Sequence, residues 1–593
     1  MEIYGADIKG IEGNLIKFRT VREKERSGIT VLGLASKVVK EGIVRALKAI
    51  ETSVEGNWAV LTTQGYTFDL SPAEDIKLSS GLDLPIAIML LQASIMQNID
   101  AVTEEIMKLE ELVKDHNIVQ NKKKRILEDL DGLIKQKELI ISYRERLRNN
   151  EDKYLLIGKL DITNGSLEAP DHGMLSLISS AKEGFTIIVP EESETHAALL
   201  LRANPKIKAY IAKDLQEVWK ILLSIQTPRE AKFKKSVIKE KRISGYIPDF
   251  KAVEGISRAK LAVRVALAGG HHILLLGPPG QGKTMLAQAA LGLLPDMTQE
   301  EMLEVNKIYS TKGELKGSEL VLRRPFQEAS GRITEAALMG GGRGFPLPGL
   351  VSLSHRGILF FDEINQCPGN FIEHFKKTLT EKKTHVRHVN AMIEYPCNFI
   401  LFAAMNPCNC RSKLYGCPES GCGHISSNRN AKCTVHNKEL RPKCTCSKTD
   451  IKSRIGRLPT ALLDRIDLKV FVSGFDKEPA KPFEYTTVTV KREINNARMQ
   501  QQKRYRSGNR IITCNADVHN KHEFLKYDAI SPPIENYLKE TYKRYTIPSK
   551  RIEVKILLVS RTIADLDESP RIQKKHIDEA VELMGLNEDS PVQ

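Results

Sequence analysis

The chain has 593 residues, 41% of them apolar and 27% charged, which is long enough for several cores and too apolar for a largely disordered protein. Its formal charge of +15 suits a polyanionic partner without naming one. No apolar run approaches the ~18 residues that a membrane span requires, and the first residues, Met1 to Asp7, lack the basic and apolar parts of a secretory signal, so a cytoplasmic protein with no membrane partner is expected.

Residues 1–100 mix short strand-like runs (Thr30 to Leu34, Trp58 to Thr62) with helical stretches, and residues 154–226 resume the style, so the two are expected to form one α+β domain. Between them, residues 101–153 carry Ile106, Leu109 and Leu112, then Ile126, Leu127, Leu130, Leu133 and Ile134, at helical spacing among charges. That pattern predicts a helical hairpin or coiled coil, packed on itself with a solvated face, or else an arm for a protein partner. Residues 227–250 hold a basic stretch bracketed by Pro228 and Pro248 and are expected to link two domains. A second α/β block spans 251–484, and 485–593 reads as mostly helical.

The chemistry lies in the second block. The apolar run Ile273 to Leu276 precedes Gly277-Pro278-Pro279-Gly280-Gln281-Gly282-Lys283-Thr284 and then a helical stretch, the strand–loop–helix order of a phosphate-binding loop. Glycines let backbone N–H groups turn toward phosphates, Lys283 reaches the β- and γ-phosphates of ATP, and Thr284 ligates Mg2+. A second apolar strand, Ile358 to Phe361, delivers Asp362 and Glu363, the first to the Mg2+ shell and the second to polarise the attacking water. A third, Phe399 to Met405, ends at Asn406, placed to orient that water or the γ-phosphate, or simply a turn residue before Pro407. Arg465, in Leu462 to Asp467, is a candidate arginine finger for a neighbouring subunit, and Arg561 a candidate second phosphate sensor in its own chain; a surface ion pair is the plainer role for each.

Together these residues resemble the AAA+ ATPases of the magnesium-chelatase-like ComM/YifB family. The likeness extends to Thr30 to Leu34 with Val39-Lys40-Glu41, Leu82 to Ala87, Gly340 to Gly342 with Pro346, Pro348 and Gly349, Ala404 to Cys408, and Arg561 to Leu566. It implies an α/β multidomain fold: a P-loop AAA+ core, an N-terminal Lon-protease-like α+β domain and a C-terminal helical lid. It also implies the roles just given for Lys283, Thr284, Asp362, Glu363, Asn406, Arg465 and Arg561, and a homo-hexameric ring that moves on DNA as a helicase or branch-migration translocase. A chelatase-type or protein-remodelling motor acting on a protein partner is the alternative. In the Lon-like domain, Ser79 or Ser80 lies near the place of a protease nucleophile, but no lysine occurs between Lys159 and Lys182, and a serine without a base is a poor nucleophile. The domain is read as non-proteolytic. His388 and Lys555 stand where the family commonly has arginine.

Arg343, in the Gly340 to Pro348 loop, is the candidate DNA phosphate contact, and Lys491 to Arg510 adds seven basic residues against one acidic. Seven of the ten cysteines fall between Cys408 and Cys446, which reads as Zn2+ ligation rather than disulfides. Cys408, Cys410, Cys444 and Cys446, which match family positions, are expected to close one site. Cys417, Cys422, Cys433 and His436, with His424 nearby, are enough for a second.

Overall fold

The computed structural model describes residues 1–23, 28–32, 37–54, 65–72, 77, 79–97, 99–114, 120–233, 238–242, 245–254, 256–342, 346–388, 391–406, 415–416, 425–426, 432, 435, 441–442, 453–472, 486–506, 512–543 and 550–586. No helix among them is long and apolar enough to cross a membrane.

The front of the chain folds around one mixed sheet. Strands β1 (Glu2–Lys9), β2 (Glu12–Glu23), β3 (Gly28–Leu32), β4 (Gly65–Ser71), β5 (Lys153–Leu156), β6 (Phe185–Pro190), β7 (Lys208–Ala212) and β8 (Arg229–Glu230) lie in the order β8-β7-β6-β5-β1-β2-β4-β3. Helices α1 (Lys37–Ser53) and α2 (Asp83–Gln97) cover one face, and Leu84, Ile88, Leu90 and Leu91 of α2 are wholly buried. Ser79 and Ser80 are buried and serve backbone amides: Ser79 Oγ accepts from Gly81 N–H at 3.0 Å, Ser80 Oγ from Asp171 N–H at 3.2 Å.

Helices α3 (Ile99–Lys114) and α4 (Gln120–Asn149) form the hairpin between α2 and β5. Its far end is solvated, with Leu127 46% and Met107 58% exposed. The base of α4 belongs to the front domain instead: Leu147 is buried, Tyr143 packs edge-on against Trp219, and Arg146 donates to Leu223 O at 3.2 Å. The basic stretch expected as a linker is also engaged at both ends. Arg229–Glu230 adds β8 to the front sheet, and Lys239–Glu240 pairs with Glu319–Leu320 of the second block.

The second block holds β9 (Ile273–Leu276), β10 (Phe326–Ser330), β11 (Ile358–Asp362), the hairpin β12 (Lys383–His388) and β13 (Ala391–Pro396), β14 (Ile400–Met405) and β15 (Leu468–Phe471). Five of these strands form an all-parallel sheet in the order β10-β11-β14-β9-β15. Such a sheet is buried on both faces, which is why its strands read as unbroken apolar runs; Ile273 to Leu276 and Leu401 to Met405 have almost no exposed surface. Helices α5 (Ser257–Gly269), α6 (Lys283–Leu291), α7 (Gln299–Lys312) and α8 (Gly369–Glu381) surround it. Helices α9 (Thr487–Tyr505), α10 (Pro532–Lys543), α11 (Lys550–Leu566) and α12 (Lys574–Leu583) follow and share a continuous apolar core with the sheet.

At the amino-terminal edge of that sheet two adjacent histidines are held without charge or with a partner. His271 bonds Asp467 through Nδ1 at 3.0 Å and Thr562 through Nε2 at 2.9 Å. His272 is buried, and its Nδ1 accepts from Leu401 N–H at 3.1 Å; burial pushes its pKa down to about 4. His196, buried under the front sheet, is likewise pushed to about 4. A histidine whose folded pKa lies below its unfolded value of about 6.5 takes up its proton on unfolding. Stability should therefore be full above pH ~6.5 and fall as pH drops toward 4, by up to about 3 kcal/mol per histidine. Urea unfolding of the core at pH 7, 6 and 5 should show this slope, and His272→Asn should flatten it; an unchanged slope in the variant would remove His272 from the account.

Candidate active site

The register of the parallel sheet gathers the phosphate site. Leu276 pairs with Met405, so Gly277 and Asn406 leave their strands at one level. Phe361 pairs with Ala403, which brings Asp362 and Glu363 to the same carboxyl edge, where open α/β sheets hold ligands.

Gly280 and Gly282 adopt φ of 79° and 77°, a left-handed backbone that favours glycine and lets the loop close over its own amides. Helix α6 then begins at Lys283 with no side chain capping its first N–H groups, which leaves donors and the helix field for an anion. Lys283 is buried, and its ammonium donates to Gly277 O at 2.7 Å, Pro278 O at 2.9 Å and Asn406 Oδ1 at 2.9 Å. Burial presses its pKa below the ordinary value while Asp362 and Glu363 pull it back up. A cation held among oxygens beside two carboxylates, under uncapped amides, fits a nucleotide's phosphate chain.

Asp362 Oδ1 accepts from Glu363 N–H at 2.9 Å, and Glu363 Oε2 accepts from Gln366 Nε2 at 2.7 Å. Glu363 itself sits at φ 50°, an uncommon conformation for a side chain other than glycine, of the kind that clusters at functional sites. Gly331 makes room for it, since a Cβ there would lie 2.4 Å from Glu363 O. Thr284, Asp362 and Glu363 would hold Mg2+ and water at the γ-phosphate; the bound metal would neutralise phosphate charge.

Arg465 lies at the opposite edge. Its segment enters β15 through Leu468, which pairs with Ile273, the first residue of β9, whereas the phosphate loop leaves from the last. Four strand residues, about 13 Å, separate the two levels. Its guanidinium donates to Thr380 Oγ1 at 2.9 Å and Ala461 O at 2.7 Å, and among the described residues no carboxylate pairs with it. It lines a cleft of about 1110 Å³ between the sheet's amino edge and the following helices. Burial and the neighbouring Arg551 both press its pKa down, yet a guanidinium stays charged.

Arg561 is not part of either cluster. It is 1% exposed, and its nitrogens donate to Asp565, Asp528, Ser569 O and Pro570 O, which commits the guanidinium to the core of the helical region. The residue that sequence reasoning passed over is Arg551, ten positions earlier on α11 and in the same cleft as Arg465. Lys555, one of the two departures from arginine, ties the same helix to the Arg465 segment through Asp467 Oδ1 at 2.7 Å. Arg343 lies outside the described residues, as do Cys408, Cys410, Cys417, Cys422, His424, Cys433, His436, Cys444 and Cys446; among the described residues no cluster of three or more acidic, histidine or cysteine side chains is placed to hold a metal.

A five-stranded parallel sheet with this order, a phosphate loop on β9 beside the edge strand β15 and an Asp-Glu pair two strands away on β11 define an AAA+ ATPase. Three family models match the chain: magnesium chelatase, subunit ChlI, over residues 249–432; its C-terminal region over 484–584; and subunit ChlI of Mg-chelatase over 19–137. The chain is 29% identical to YifB of Escherichia coli over 93% of its own length and 91% of that protein's, and 26% identical to competence protein ComM of Haemophilus influenzae over 98% and 96%. Magnesium-chelatase subunit ChlI of Olisthodiscus luteus is 26% identical over 28% of the chain and 53% of that subunit. The chain belongs to the magnesium-chelatase-like AAA+ family and is homologous to YifB and ComM over nearly its whole length, and that membership implies ATP and Mg2+.

Glu363→Gln should keep ATP affinity and slow hydrolysis at least ~100-fold, the usual loss of a general base; Lys283→Ala should instead weaken binding itself. Nucleotide titration beside steady-state turnover separates them, and normal turnover in Glu363→Gln would remove its role. The two arginines of α11 should also part. Arg561→Ala, by breaking the buried ion pair with Asp565 and leaving Arg504 as its remaining cation, should cost about 3 kcal/mol of stability, read in urea melts. Arg551→Ala should leave the melt within ~0.5 kcal/mol, as an unpaired surface change does, and lose turnover. A stable Arg561→Ala protein with no turnover would return the sensor role to Arg561.

Proposed function

We propose that the chain is an ATP-driven motor that works on DNA as a homo-hexameric ring, a helicase or branch-migration translocase. The observation that carries the ring is the position of Arg465: charged, without a carboxylate partner among the described residues, and on the sheet edge away from its own phosphate loop. Such a cation is of use to the nucleotide of an adjacent subunit, where an arginine finger raises the rate by roughly a thousandfold or more. Arg551 beside it supplies a second cation to the same neighbour. The DNA assignment is supported by the surplus of 15 positive charges and by the full-length relation to a protein named for competence. The front sheet is read as a Lon-like domain without protease function, the last four helices as the lid, and Cys408, Cys410, Cys444 and Cys446 as a structural Zn2+ site; metal analysis finding no zinc would remove that last part. A chelatase-type motor driving a protein partner is the second reading, favoured by the match to ChlI across the core.

Two experiments test this. Turnover measured with and without single-stranded, duplex and branched DNA should rise severalfold with DNA, and a flat response would favour the protein-partner reading. Arg465→Ala and Lys283→Ala chains, each inactive alone, should regain part of the turnover when co-assembled, because an intact loop then meets an intact finger. Mixed rings shown by mass and still inactive would place the finger elsewhere.

A further inference from the structure

The front domain meets the ATPase core along α7, where Gly173 N–H and Leu175 N–H donate to Ser310, and also through a much smaller element, the turn between β1 and β2. Gly10 has φ 70°, and a Cβ at this position would lie 2.5 Å from Glu394 O on β13; only glycine allows the turn to rest on that backbone. The next residue, Ile11, packs against Val386, Ile393 and Tyr395 of the β12–β13 hairpin and also against the apolar cluster of α7 around Ile308 and Tyr309. It is the one front-domain residue in either cluster among the described residues. Glu12 adds an ion pair to Lys307 of α7 at 3.1 Å. The hairpin in turn supports the glycine loop before it: Tyr395 donates its hydroxyl to Pro346 O, and a Cβ at Gly340 would lie 2.9 Å from the Val386 side chain.

A two-stranded hairpin has little stability of its own, and β12–β13 is not paired to the core sheet. Its position is therefore set by what packs on its apolar face, and Ile11 supplies an external part of that face. We propose that the Gly10–Ile11 turn is a positioning element which fixes the β12–β13 hairpin, and through it the flanking Gly340 and Pro346, for the polymer that the motor grips. The front domain then sets the grip without touching nucleotide. What the hairpin grips rests on the DNA reading above; the positioning does not.

The test uses the full chain with Ile11→Ala and Gly10→Ala, and Val21→Ala as an exposed front-domain control. Hydrogen exchange of peptides covering 383–396, without DNA, should quicken about tenfold in both variants, with exchange of the β9 and β14 strands unchanged. Basal turnover should stay within twofold, while the DNA concentration for half-maximal stimulation rises about tenfold. Unchanged hairpin exchange in both variants overturns the proposal, whatever the turnover does. Quickened exchange in both variants, with a wild-type enzyme that DNA does not stimulate, would sink the DNA reading and leave the positioning standing. Where an alanine variant unfolds, Ile11→Val removes a single methylene, and its hairpin exchange decides in the same way, with a rise of about threefold expected.

Discussion

The parallel register of the core sheet is the constraint on which the rest depends. Because β9, β11 and β14 run in the same direction and in step, one edge receives the phosphate loop, Asp362, Glu363 and Asn406. The same register sends Arg465 to the other edge. A monomer with this sheet cannot bring Arg465 to its own phosphate loop without breaking β15 away from β9. Separation of Arg465 from the phosphate loop is thus a property of strand direction, and it is the ground on which the proposed ring rests.

The edge that carries Arg465 is also the edge to which the following helices are fastened. His271 bridges Asp467, two residues past Arg465, to Thr562 on α11. Thr562 accepts from Asn515, which also donates to Asp565, the carboxylate shared by Arg504 and Arg561. Gly269 is required beside this chain, since a Cβ there would lie 2.3 Å from the His271 ring. Lys555 adds a charge pair to Asp467, whose pKa falls well below the usual carboxylate range, burial notwithstanding. A buried network with each member bonded is stiff, and losing one partner is costly. The network thus fastens α11 to the segment that holds Arg465.

Much of the phosphate site was legible because its residues lie within short contiguous motifs whose order, strand then loop then helix, is itself the geometry. Asn406 was legible for the same reason, since it ends a strand. The arginines were harder. Arg561 sits in a family motif, but its partners Asp528 and Asp565 and its burial belong to tertiary packing. Helical spacing held the signal that was missed: Arg551, Lys555 and Leu558 fall on one face of α11, and all three line the cleft. The base of α4 was read with the hairpin because charge patterning marks a solvated helix but not where it begins to pack on Trp219. The Gly10–Ile11 contact had no sequence signal, since a glycine in a β-turn explains itself locally.

The central claim is that each nucleotide site is completed by a second chain. Turnover per chain, measured across a dilution series whose assembly state is followed by mass, tests it most directly. The account predicts turnover that tracks the assembled fraction and falls at least roughly a thousandfold in the monomer, the effect of losing the finger. Constant turnover per chain down to concentrations at which only monomers remain would contradict it.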